Sequence, residues 1–204
     1  SAIDAGSDIA EVQNVVDTAF GSMRDKCEAF ADTAIESFGM STLSAKRTAS
    51  TYMAMAKSLG LSEGAAAEMS IALAGLSGDV ASFYNISQAT ADTKLKSVFT
   101  GETETLKELG VVMTQANLDA YAMAKGYSKT TSAMTQAEKV QLRYAYVTDQ
   151  LSLAQGDFAK TSASWANQVR ILTERWNEFK QSVGQLLINV LRPMLVVLTR
   201  IMAV

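Results

Sequence analysis

From Asp8 to Phe38 the apolar side chains fall at Ile9, Val12, Val16, Phe20, Met23, Cys27, Phe30, Ala34 and Phe38, in steps of three and four that an α-helix lays along one side. The run predicts one long amphipathic N-terminal helix, with Asp8 and Glu11 at capping-box spacing and Gly39 as the stop. Residues 41–156 carry a different pattern, in which an apolar residue, a Ser or Thr N-cap, a helical run and a glycine recur. MSTLSAK opens a helix ending near Leu59, LSEGAAAEM one reaching about Tyr84, and ISQATAD one ending before Gly101. MTQAN and MTQAE, starting at Met113 and Met134, repeat the signal with a methionine placed as a hydrophobic staple. The two copies match over five residues only, which indicates shared capping chemistry and not a solenoid repeat.

Gly156 and Asp157 mark the entry to a last long helix, residues 157–204. Trp165, Val169, Leu172, Trp176, Phe179, Val183, Leu186 and Val190 alternate steps of four and three, the repeat of a helix packed along a seam. The opposite side carries Asn167, Arg170, Glu174, Asn177, Glu178, Gln181 and Gln185. Such a stripe needs something to lean on, either the rest of its own domain or copies of itself. Beyond it, fourteen of the nineteen residues from Leu186 to Val204 are apolar, near the length that spans a bilayer. Arg192, Pro193 and Arg200 interrupt the run, and an arginine near a bilayer centre costs roughly 2.5–3.5 kcal/mol. Spanning is therefore disfavoured; burial between copies satisfies the apolar side equally well, with Pro193 kinking or ending the seam.

Composition sharpens the class. One proline in 204 residues, among many Ala, Met, Leu, Gln, Lys and Glu, predicts an all-α fold. A hydrophobic fraction of 48% against 19% charged residues excludes a disordered chain. The expected organisation is one structural unit: a long helix over 1–40, a compact multi-helix body over 41–156 and the amphipathic to apolar helix over 157–204. Net charge is -3, which argues against a nucleic-acid grip built on basic clusters. The charge is uneven: residues 1–36 sum to -6 and residues 165–204 to +3, a polarity suited to head-to-tail contact or to an acidic partner surface.

Candidate chemistry is sparse. The lone Cys27 excludes an internal disulfide and sits on an apolar helix side, where a buried structural thiol is expected. Without histidine, neither a Ser-His-Asp nor a Cys-His arrangement can be assembled, and no ligand spacing for a metal is visible. GLSGD around Gly75 and Gly78 lacks the spacing and the lysine of a phosphate loop. Glu102 and Glu104 are the nearest approach to a carboxylate pair, yet their place at a helix start suits the helix dipole better than hydrolysis. The expectation is a protein that is not an enzyme and carries no cofactor. No basic n-region of a secretory signal opens the chain, and a start at Ser1 reads as an internal stretch of a longer protein.

Several stretches together resemble the tail tape measure proteins of long-tailed bacteriophages and tail-like particles: AEVQNVVDTAFGSM, YMAMAKSLGLS, LSGDVASFYN, GETETLKELGVVMTQANLDAYA, and LRYAYVTDQLSLAQGDFAKTSASWANQVRILTERWNEFKQSVGQLLINVL. The resemblance runs from about Glu11 to Leu191, and GETETLKELG and QGDFAKTSASWANQ are its most specific parts. It implies a globular helical segment of a protein of which a few copies, three or in some tails six, lie in the tail tube. Implied partners are other copies, the tail tube protein, tail tip or baseplate hub proteins and tail assembly chaperones, with inner-membrane contact on genome ejection. The implied location is the lumen of a virion tail or tail-like particle, after assembly in the host cytoplasm. A membrane-active ejection or pore-forming helical protein is the alternative. In the tape measure reading Trp165 and Trp176 look like seam anchors or docking residues against the small-helix body.

Overall fold

The computed structural model of the chain describes residues 2–202, including the side chains of residues 7–164, 166–186, 188, 189, 191 and 192. Among these residues the fold is all-α, with no strand. The helices are α1 (Ala2–Phe20), α2 (Arg24–Asp32), α3 (Ala34–Phe38), α4 (Thr42–Ser58), α5 (Glu63–Phe83), α6 (Gln88–Leu95), α7 (Ser97–Thr100), α8 (Glu104–Lys107), α9 (Gln115–Ala124), α10 (Gln136–Gln150), α11 (Asp157–Thr161) and α12 (Trp165–Met202).

The N-caps are where the Ser/Thr punctuation puts them. Ser41, Ser62, Ser87, Thr114 and Thr135 each accept a hydrogen bond from the backbone N–H three residues on. At Thr135 the Glu138 side chain reaches back to complete a capping box. Met113 and Leu118, at staple positions around Thr114, are both buried. The corresponding partner of Met134 is Lys139, so no apolar staple forms there.

Three expected boundaries change; the helix opened by ISQATAD does not run unbroken to Gly101 but is interrupted at Lys96, giving α6 and α7. The run from Asp8 to Phe38 is three helices, because Gly21 adopts a left-handed φ of 52° that an α-helix cannot continue, and a second break falls at Thr33. The breaks let α1, α2 and α3 each turn an apolar side onto the α4–α5 pair. Asp8 lies inside α1 and caps nothing. At the other end α11 is separate from α12, with a turn at residues 162–164, so the long helix begins at Trp165.

α5 is the axis of the body. It is apolar almost all round, and its residues from Leu73 to Ala81 are all buried, as a core helix requires. GLSGD is here a packing device. A Cβ on Gly75 would come 2.9 Å from the Phe38 ring, and one on Gly78 would come 2.6 Å from the Phe38 carbonyl oxygen. The missing side chains let the end of α3 rest directly on α5. The core built around this axis runs from Val16 to Ala154, and among the described residues none of α12 belongs to it. Cys27 is fully buried within it, and burial pushes its thiol up to about 11.

Candidate functional site

α12 meets the body with the side that its sequence marks as polar. Asn167 is 4% exposed, and its Nδ2 donates to Ser82 Oγ at 3.1 Å and to Thr161 Oγ1 at 2.8 Å. One turn on, Arg170 Nη2 donates to the carbonyls of Ala81 at 3.3 Å and Ile86 at 3.4 Å. Ala81 lies in the last turn of α5, where the helix dipole is negative; its carbonyl also accepts the Ile86 N–H at 3.0 Å. Burial pulls the Arg170 guanidinium below its ordinary value, and Glu174 works against that shift. Further along, Glu178 Oε1 accepts from Thr42 N at 3.0 Å and Thr42 Oγ1 at 2.9 Å. Thr42 opens α4, so the carboxylate sits at a positive helix end.

The geometry explains why the two charges have opposite sign. α4 and α5 are joined by a tight turn and pack side by side, which brings the N-terminus of α4 and the C-terminus of α5 to the same end of the body. Arg170 and Glu178 are eight residues apart on α12, about 12 Å along its axis. Each lands on the helix terminus its charge suits. Arg175 pairs with Glu36 of α3 on the same side, and α1 runs alongside α12 to complete the seat. A cavity of about 250 Å³ remains between Ile9, Gln13, Lys46 and Glu178. Lys46 there bonds Gln13 and Glu28, and against the burial that raises it these hydrogen bonds from Lys46 and Gln13 hold the Glu28 carboxyl below its usual range.

The apolar stripe faces the other way. Leu172 is 70% exposed, Trp176 59%, Phe179 57% and Leu186 66%; Val169 is also exposed and Val183 half-buried. The rings of Trp176 and Phe179 stack at 5.6 Å, and both side chains are exposed. The side chains of Trp165 and Val190 lie outside the described residues, as do Pro193 and Arg200; the backbone helix itself continues through position 193 to Met202. Within the described residues, then, Leu172, Trp176, Phe179 and Leu186 do not dock on the small-helix body.

Other candidates are placed without being brought together. Glu102 and Glu104 are exposed; Glu102 Oε1 accepts the backbone N–H of Glu104, and Glu104 pairs with Lys107. Asp79 of GLSGD receives N–H donors from Gly156 at 2.8 Å and Phe158 at 3.2 Å, and so anchors the start of α11. Burial, the largest influence, raises its carboxyl despite these donors. Among the described residues no group of three or more His, Cys, Asp or Glu is placed to hold a metal, and no helix is long and apolar enough to cross a membrane. The docking roles of Asn167, Arg170 and Glu178 are not legible as a motif. Their one sequence signal is that the polar positions of α12 recur at helical spacing as regularly as the apolar ones.

Compared with protein-family models, curated proteins and solved structures, the chain matches none.

Proposed function

We propose that this chain is a structural, non-enzymatic segment of a tail tape measure protein, and that α12 is the element through which a few copies associate inside the tail tube. The observation that carries the reading is the orientation of α12: its polar side is taken up by the body, which leaves Leu172, Trp176, Phe179 and Leu186 exposed in line. Burying what these side chains expose contributes about 1–2 kcal/mol each. A parallel set of such helices would bury all of them at once, whereas a monomer leaves them in water. The acidic balance of the chain suits a lumen through which DNA must pass without adhering.

Quantitative mass spectrometry of sedimented tails or tail-like particles from the producing cells tests this. A few copies per particle, scaled against the tube protein, is the expected result. Absence from intact particles together with recovery on membranes would replace it with the membrane-active alternative, in which the stripe lies in a bilayer surface.

A further inference from the structure

A second feature lies on the far part of the body. Between the α7–α8 loop, the start of α9 and the first turns of α10 is an open cavity of about 390 Å³, within the range of small-ligand sites. Its floor is apolar, made by Met113, Leu118 and Leu142, all buried. Its wall carries two cations one helical turn apart, Lys139 and Arg143, and neither enters an ion pair among the described residues.

Arg143 is half-buried, and among the described residues its one hydrogen bond is from Nη1 to the Phe99 carbonyl at 3.3 Å. Burial pulls its guanidinium below the ordinary value. The guanidinium lies against Gly101, where a Cβ would come 2.8 Å from Nη2. On the same wall Thr131 is 7% exposed, and its Oγ1 has no hydrogen-bond partner. Of the acidic groups nearby, Asp119 accepts from Thr131 N at 2.6 Å, Glu104 pairs with Lys107 and Glu138 with Lys129, while Glu102 is exposed and accepts the Glu104 N–H. A desolvated cation and an unpaired hydroxyl are both costs that an incoming anion would offset.

We propose that this cavity binds a small organic anion, a phosphate or carboxylate head on a short apolar body, with Arg143 and Lys139 holding the head and Met113, Leu118 and Leu142 receiving the body. The site is independent of α12 and of the association proposed for it. An arginine fork suits either head group, because both present paired oxygens.

Phenyl phosphate, benzoate, phenol and inorganic phosphate, titrated into the full chain and followed by amide chemical shifts and calorimetry, test the assignment. Phenyl phosphate or benzoate is expected to bind saturably, more tightly than phenol or inorganic phosphate, with shifts centred on Gly101, Thr131 and Arg143. Arg143→Gln should weaken binding about tenfold or more, the scale of one lost charge-assisted hydrogen bond. Lys139→Gln should weaken it by roughly two- to fivefold, and it decides the matter alone if Arg143→Gln does not fold. The proposal is overturned if neither anion binds at millimolar concentration, if the folded variants bind as the parent does, or if the shifts spread over the surface lysines.

Discussion

Removing both charges that seat α12, with Arg170→Ala and Glu178→Ala in one chain, should loosen that helix while leaving the body folded. Glu178 supplies two hydrogen bonds at the first turn of α4. Loss of such a capping acceptor costs about 1 kcal/mol, and loss of its charge at the positive helix end adds about half of that. Arg170 makes two longer bonds to carbonyls at the end of α5, together about 1 kcal/mol. The positions are about 12 Å apart on α12 and share no partner, so the costs add, to roughly 2–3 kcal/mol. Expressed as local opening, this is a fall of about 30- to 150-fold in amide protection. Hydrogen exchange read by mass spectrometry on residues 165–185, in dilute monomeric protein, measures it, with the buried α5 as internal reference. Unchanged protection of α12 in the double variant, together with loss of protection in Leu172→Ser or Trp176→Ser, would refute the reasoning: the stripe and not the polar side would then be the attachment.

Two further outcomes follow from the body. Gly78→Ala should lower stability by about 1–3 kcal/mol, because its methyl meets the Phe38 backbone and not a movable side-chain end; the shift in urea midpoint at constant slope reads it. Glu138 is held down to about 2 by the Thr135 backbone donor and then by Lys129. A depressed carboxyl stabilises fully above its ordinary value of 4.5 and loses that contribution as pH falls towards about 2. Urea midpoints measured across this window should therefore fall less steeply in Glu138→Gln than in the parent chain.

The all-α class and the N-caps at Ser41, Ser62, Ser87, Thr114 and Thr135 were legible because they depend on local chemistry: a near absence of proline, and hydroxyls placed before apolar runs. The breaks at Gly21 and Thr33 were not, since the apolar period runs through both, and only the need to wrap three segments around α4 and α5 decides them. The facing of α12 was hidden for a related reason. Hydrophobic periodicity says which side wants burial but not which partner provides it, and here the body offers helix termini that select Arg170 and Glu178 over Trp176 and Phe179. The cavity at Arg143 is not legible in the sequence, because its residues come from four separate segments with no fixed spacing.

The central claim is that the outward stripe of α12 is where copies of this chain meet. A photo-reactive residue in place of Trp176, activated in a mixture of light and isotopically heavy chains, tests it directly. Heavy-to-light cross-links joining position 176 to the Leu172–Leu186 stretch of another copy are expected. Cross-links confined to single chains and leading into α4 or α5 would contradict it.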